Sequence, residues 1–293
     1  MIAARMPERC AVVLCILMVV STALSQQQPR QTHKLIQTYL GFDRNLYPGD
    51  NSLAELRKTF SFTGYWLNNP PGESFNSWRG KRQLIHSYGF GFLVLFNGKR
   101  YAELKTPADP VALGKADARA AATAARNDGF PANTIIFLDV EEGGRLLPEQ
   151  QAYLHAWIDE LALHHYLAGV YCSGIPVREA GGTTVTSAEN IRQNAEGRSI
   201  VFWISNDVCP PAPGCSLPKH PRLPSLSGIS FAEIWQFAQS PRRKEFTAAC
   251  AATYNTDGNC YPPSPALNKI FVDVNTANSP DPSHGRTRSA LQH

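Results

Sequence analysis

The chain is 293 residues long, 43% apolar and 18% charged, with 28 Lys and Arg set against 24 Asp and Glu for a net charge of +4. Such a length can bury one large core, and this composition argues for a globular domain. A charge so near neutral, whose densest basic run is Arg242-Arg243-Lys244, excludes the Lys/Arg stripe of a nucleic-acid binder.

In chain order the first element is an export signal. Arg5 and Arg9 precede an uncharged apolar run from Cys10 to Leu24, with the small-residue site Ala23-Leu24-Ser25 at its end; residues 1–25 thus read as a signal peptide. The run of about 15 residues is shorter than the roughly 20 that span a bilayer, and no second one of that length follows. The residues ahead of Cys15 lack the small side chains expected before a lipidated cysteine. Cleavage would remove two of the 28 basic and one of the 24 acidic residues, leaving 26 against 23. The expectation is a soluble mature chain with no stable membrane span, secreted or periplasmic in the cell envelope, that starts with a linker at 26–35.

Eight short apolar, β-branched or aromatic runs follow, at 38–43, 62–67, 90–96, 134–140, 167–173, 200–205, 233–237 and 269–274, and each reads as a strand. Helical patterns lie between them at 77–87, 111–128, 148–165 and 187–196, the third with a proline in its first turn. This alternation predicts an α/β fold, a single-domain (β/α)8 TIM barrel over 36–277 whose strands are parallel because each crossover is a helix. A doubly wound open sheet would need a Gly-rich phosphate loop after its first strand, whereas Gly89-Phe-Gly91 precedes a strand and lacks the third glycine. The connections after the sixth and seventh strands are Pro-rich, so the last third is expected to be irregular. Residues 278–293, rich in Ser, Pro, Arg and His, read as a disordered tail.

Five cysteines remain after the signal. Cys209 and Cys215 bracket one loop, and Cys250 and Cys260 another; an exported compartment permits the two local disulfides Cys209–Cys215 and Cys250–Cys260. Cys172, inside a strand-like run, is left as a buried inert thiol.

In such a barrel the chemistry sits at the carboxyl ends of the strands. Those ends read Gly41-Phe-Asp43, Leu138-Asp139-Val-Glu141, Tyr171-Cys-Ser173, Trp203-Ile-Ser205, Trp235-Gln236 and Asp273-Val-Asn275. Alternation places Phe137, Asp139 and Glu141 on one face and the apolar Ile136, Leu138 and Val140 on the other, against the helices. Asp139 and Glu141 are then expected in the mouth, with Cα atoms about 6.6 Å apart. Paired carboxylates suit glycoside cleavage: one donates a proton to the leaving oxygen, while the other activates water, acts as nucleophile or orients a substrate group. Asp43 and Asp273 are supporting acids. Glu142 reads as a turn or helix-capping residue. Tyr171, Trp203, Trp235, Gln236 and Asn275 are candidate substrate-binding residues, the aromatics as sugar-stacking faces or as core. No histidine closes a strand, since His86, His155, His164 and His165 fall on helix patterns, so no metal site and no cofactor are expected. A serine nucleophile lacks its Gly-x-Ser-x-Gly elbow.

This ordered set, Gly41-Phe-Asp43, Asp139-Val-Glu141, Tyr171, Trp203, Trp235-Gln236 and Asp273-Val-Asn275, resembles the family 25 glycoside hydrolases, the lysozyme-type muramidases, over residues 38–276. It is similar, more closely still, to exported bacterial glycoside-hydrolase-like barrels of unknown function related to them. The resemblance implies that Glu141 is the catalytic acid and that Asp139 stabilises charge or orients an acetamido group, with Asp43 and Asp273 as flanking acids. The chain departs from the lysozymes at Arg44-Asn45-Leu46-Tyr47, where they usually carry a Ser and a Gln. The expected function is that of an exported glycosidase whose partner is a cell-wall polysaccharide, peptidoglycan or another amino-sugar polymer. The alternatives are a non-catalytic glycan-binding barrel and a carboxylate-metal hydrolase.

Overall fold

In the computed structural model the described residues are 1, 37–208, 217–218, 220–239, 267 and 270–286. The expected signal peptide, the linker through residue 35 and both expected disulfides lie outside them, as does the run Arg242-Arg243-Lys244.

The chain is a closed eight-stranded α/β barrel. Its strands are β1 (Tyr39–Asp43), β2 (Phe62–Trp66), β3 (Gly91–Asn97), β4 (Ile135–Val140) and β5 (Leu167–Ser173), then, after a two-stranded hairpin of β6 (Val177–Arg178) and β7 (Thr184–Val185), β8 (Val201–Ser205), β9 (Ile234–Ala238) and β10 (Asp273–Ala277). Around it lie α1 (Leu53–Arg57), α2 (Arg82–Ser87), α3 (Tyr101–Leu104), α4 (Pro110–Asn127), α5 (Pro148–Leu163) and α6 (Ser187–Gln193). Local chemistry sets the helix starts. Asp109 accepts hydrogen bonds from the backbone N–H groups of Val111 and Ala112 and Pro110 opens α4, while Pro148 opens α5 and the Gln150 side chain accepts from Leu147 N–H. The small face of α4, Ala118, Ala121, Ala122 and Ala125, is buried.

Three sequence expectations are corrected. The 77–87 helix begins at Arg82, because Trp78 is held in the core with its Nε1 donating to the carbonyl of Asn45 and Gly80 turns at φ 75°, a left-handed conformation that glycine adopts without strain. The last strand covers 273–277 rather than 269–274, and it runs antiparallel to both β9 and β1, so the barrel is mixed rather than all parallel. Apolar periodicity marks a strand but not its direction. Because β10 starts at the mouth, next to the end of β1, its first residue Asp273 is paired with Asp43. The expected irregularity of the last third has one visible element, a 3-10 turn at Pro224–Ser227 between β8 and β9.

The third correction concerns residues 278–286, expected in the tail, which form a strap across the amino-terminal end of the barrel. Asp281 accepts from Phe92 N–H at 2.9 Å, Ser283 Oγ from Val94 N–H at 2.8 Å, and the Ser283 carbonyl from Ile135 N–H at 2.8 Å. The strap fills the gap where β3 and β4 splay, supplying the acceptors that buried N–H groups require. A Cβ on Gly91 would come within 2.0 Å of the Pro280 carbonyl oxygen, so only glycine lets the strap lie this close. Polar composition alone reads as disorder, and this segment is ordered by partners distant in sequence.

Candidate active site

At the opposite, carboxyl-terminal end, polar side chains of five strands meet. Tyr171 on β5 donates its hydroxyl to Gln236 Oε1 on β9 at 2.7 Å. Gln236 Nε2 donates to Asp43 Oδ2 on β1 at 2.9 Å, and Asn275 Nδ2 on β10 donates to the same oxygen at 2.7 Å. Trp203 Nε1 on β8 donates to Asn275 Oδ1 at 2.9 Å. Each amide thus spans two strands, and the Asp43 carboxylate, buried at 6% exposure, takes two charge-assisted hydrogen bonds worth about 1.5–3 kcal/mol each against its desolvation.

Asp139 on β4, 8% exposed, and Asp273, 6% exposed, complete the acidic ring. Burial and the nearby carboxylates of Asp43, Asp139 and Asp273 together push the Tyr171 hydroxyl well above its ordinary range. It therefore stays protonated as a donor. Asp43 and Asp273 are directly opposed in the register, an arrangement of like charges that costs stability in a sheet and that local packing does not call for.

Glu141 is placed differently from the expectation. It lies one residue beyond β4, with its side chain 38% exposed and 3.6 Å from the Arg100 guanidinium. It stands at the rim, while Asp139 lies within. Its neighbour Glu142 accepts from Tyr101 N–H through both oxygens, at 3.1 and 3.0 Å, and also from Gln150 Nε2. Glu142 is thus a helix-capping residue, of α3 rather than of the helix that follows it, and it fixes the segment from which Glu141 projects. Arg100-Tyr101 and Glu141-Glu142 form a two-residue clasp between the loops after β3 and β4.

The stacking role considered for Trp203 and Trp235 is corrected: both rings are 1% exposed. Trp203 packs against Tyr171 and Phe137, with ring centroids 4.6 and 5.8 Å away, and Trp235 faces outward beneath Phe237 with its Nε1 on the carbonyl of Asn206. Neither ring can offer a face to a sugar. Among the described residues Phe75, in the loop after β2, is an exposed aromatic, 58% accessible. Gln239 was not singled out in the sequence, yet its Nε2 reaches Gln236 Oε1 at 2.8 Å, Tyr171 at 3.3 Å and Ser205 Oγ at 3.4 Å; its position one residue past β9 was the available signal. Cys172 is free and fully buried, and burial holds its thiol far above the ordinary range, which leaves it inert.

Among the described residues no group of three or more His, Cys, Asp or Glu is arranged to hold a metal ion, and no helix is long and apolar enough to cross a membrane.

Residues 65–209 match the family described as the Rv2525c-like, glycoside hydrolase-like domain. No curated protein matches the chain. Among solved structures, an uncharacterized Bacillus stearothermophilus protein is 22% identical over 82% of this chain and 95% of its own, with a TM-score of 0.50; that likeness concerns the fold. The Mycobacterium tuberculosis Tat-secreted protein Rv2525c, in complex with HEPES, is 15% identical over 84% of this chain and 96% of its own, with a TM-score of 0.46. A family 25 glycosyl hydrolase from Bacillus anthracis is 14% identical over 82% and 89%, with a TM-score of 0.45.

Proposed function

We propose that this chain, which carries an Rv2525c-like, glycoside hydrolase-like domain over residues 65–209, is an exported glycosidase that cleaves an amino-sugar polysaccharide of the cell wall. The observation that carries this reading is the convergence of Asp43, Asp139 and Asp273 on Tyr171 at one barrel mouth, with Glu141 above them on the rim. Buried acids gathered from separate strands cost a fold stability, and a cluster of this kind marks a functional site, here one suited to a cationic transition state.

In the proposed reaction the glycosidic C–O bond breaks as Glu141 passes a proton to the leaving oxygen. Positive charge then develops at the anomeric carbon, and the Asp139 carboxylate faces it. Water adds to that carbon and gives its proton to the Glu141 carboxylate, which restores the acid and balances the protons over the cycle. Asp43, held by Gln236 and Asn275, and Asp273 keep the field of the mouth negative. Tyr171, protonated and fixed by Gln236, positions the amide ring around Asp43.

The test is Glu141→Gln on a panel of peptidoglycan and amino-sugar glycans. Release of reducing ends is expected to fall at least about a hundredfold, the usual contribution of a positioned proton donor, with the thermal midpoint unchanged. Equal turnover would remove Glu141 from the mechanism. The pairing of Glu141 with Arg100 favours a second reading, a glycan-binding barrel without catalysis. Binding to insoluble cell wall with no product between pH 4 and 8 would establish that one instead.

A further inference from the structure

Beside the acidic mouth, the loops after β2 and β3 line an open groove of about 640 Å³, within the roughly 300–1,000 Å³ that ligand sites occupy. Its charged lining is Arg79, Lys99 and Arg100 against a single carboxylate, Glu103. Lys99 Nζ is 3.6 Å from Glu103, and Arg100 reaches out of the groove to Glu141, also at 3.6 Å. Arg79 has no ion pair among the described residues. The three cations therefore keep most of their donors available, since a guanidinium carries five and an ammonium three.

The walls are held in place. Asn68 Nδ2 donates to the Asn97 carbonyl at 2.9 Å while Asn97 N–H donates to Asn68 Oδ1 at 2.8 Å, and Asn97 Nδ2 reaches the Asn69 carbonyl at 3.0 Å. Lys99 N–H donates to the Tyr153 hydroxyl at 3.3 Å, and Tyr101 N–H is held by Glu142. The backbone that carries Lys99 and Arg100 is thus ordered before any ligand arrives, which lowers the entropic cost of binding.

We propose that this groove is a subsite for an anionic sugar, so that the substrate class of the glycosidase proposed above, on which this inference rests, is a polysaccharide bearing acidic groups. Contiguity with the mouth comes from Arg100, which lines the groove and touches Glu141. Charge sets the register. Asp43, Asp139 and Asp273 repel a negative substituent from the mouth, while Arg79, Lys99 and Arg100 receive it alongside, and a planar guanidinium fits an oxyanion in a bidentate manner. A chain is thereby placed with its acidic group in the groove and the bond to be cleaved over the carboxylates.

The experiment is calorimetric titration of the full chain with N-acetylglucosamine tetramers in three forms: neutral, O-carboxymethylated and O-phosphorylated. An anionic tetramer is expected to bind about tenfold more tightly than the neutral one, the worth of one charge-assisted contact, with a gap that narrows as salt is added. The better of the two anionic forms identifies the group as carboxylate or phosphate. The double variant Arg79→Ala/Lys99→Ala, both side chains being on the surface, is expected to bind all three forms alike at an unchanged thermal midpoint. Equal binding of all forms by the unaltered protein, or a preference that survives in the double variant, overturns the groove and leaves the glycosidase reading standing. Binding of none of the three overturns both.

Discussion

The two ends of the barrel use polar side chains in opposite ways. At the amino-terminal end, Asp281 and Ser283 meet backbone N–H groups of β3, and the partner of each oxygen is a group that would otherwise be buried without an acceptor. At the mouth, Asp43 is held by side-chain amides and stands directly opposite another aspartate, Asp273. The first arrangement satisfies buried backbone donors; the second sets two carboxylates side by side, as a site that needs a negative field does. Buried polar groups are thus no single class, and the partners distinguish an end built for stability from one built for chemistry.

Three measurements would break or sharpen that contrast. The largest effect is expected on ending the chain after Ala277, which removes the strap: each lost bond to a buried N–H costs about 1–2 kcal/mol, so a loss of about 3–5 kcal/mol and a fall of about 10 °C in the thermal midpoint are expected. Glycan cleavage per folded molecule should persist below that midpoint. A midpoint unmoved by the truncation would show that the strap is no more than a surface segment.

The second effect is smaller and of opposite sign. Asp273→Asn removes one of two opposed charges, and relief of about 0.2–1 kcal/mol is expected, raising the midpoint by about 1–3 °C while activity falls. A lower midpoint would mean that the mouth is stabilised by its charges as the strap is, and the contrast between the two ends would collapse.

The smallest effect belongs to neither end. Asp159 on α5 accepts two hydrogen bonds from Arg198, both at 2.9 Å, and this pairing holds its carboxyl below the ordinary carboxylate range. A carboxyl depressed in the folded state stabilises above its unfolded pKa of about 4 and loses that contribution as the pH falls through the folded value. Its side chain is 55% exposed, so screening limits the contribution to under about 0.5 kcal/mol. Asp159→Asn should lower the midpoint by about 1–2 °C at pH 7 and leave it unchanged near pH 2. An equal loss at both pH values would show that packing, not charge, joins α5 to the loop at Arg198.

Much of the fold and part of the site were legible in order along the chain. Periodicity located seven barrel strands within a residue or two of their positions, and strand ends led to Asp43, Asp139, Tyr171, Gln236 and Asn275, which the structure brings to one mouth. Asp273 was found for a partly mistaken reason, as the end of a parallel strand, and it reaches the mouth because it begins an antiparallel one. Trp203 and Trp235 were as conspicuous as any residue in the sequence and lie in the core, since an aromatic side chain reads the same whether its ring is covered or open. Arg79, Lys99 and Arg100 were not picked out at all: they are spread over two loops, and no local run signals a groove.

The sequence by itself determined seven of the barrel strands, the helices α4, α5 and α6 and which face of β4 carries its acid, because these depend on spacing along one element and on the apolar side that must be buried. Only the tertiary structure decided the direction of β10, the ordering of residues 278–286 and the meeting of Arg100 with Glu141. Each of these depends on closing a barrel and pairing groups far apart in the chain, and contacts of that kind leave no period in the sequence.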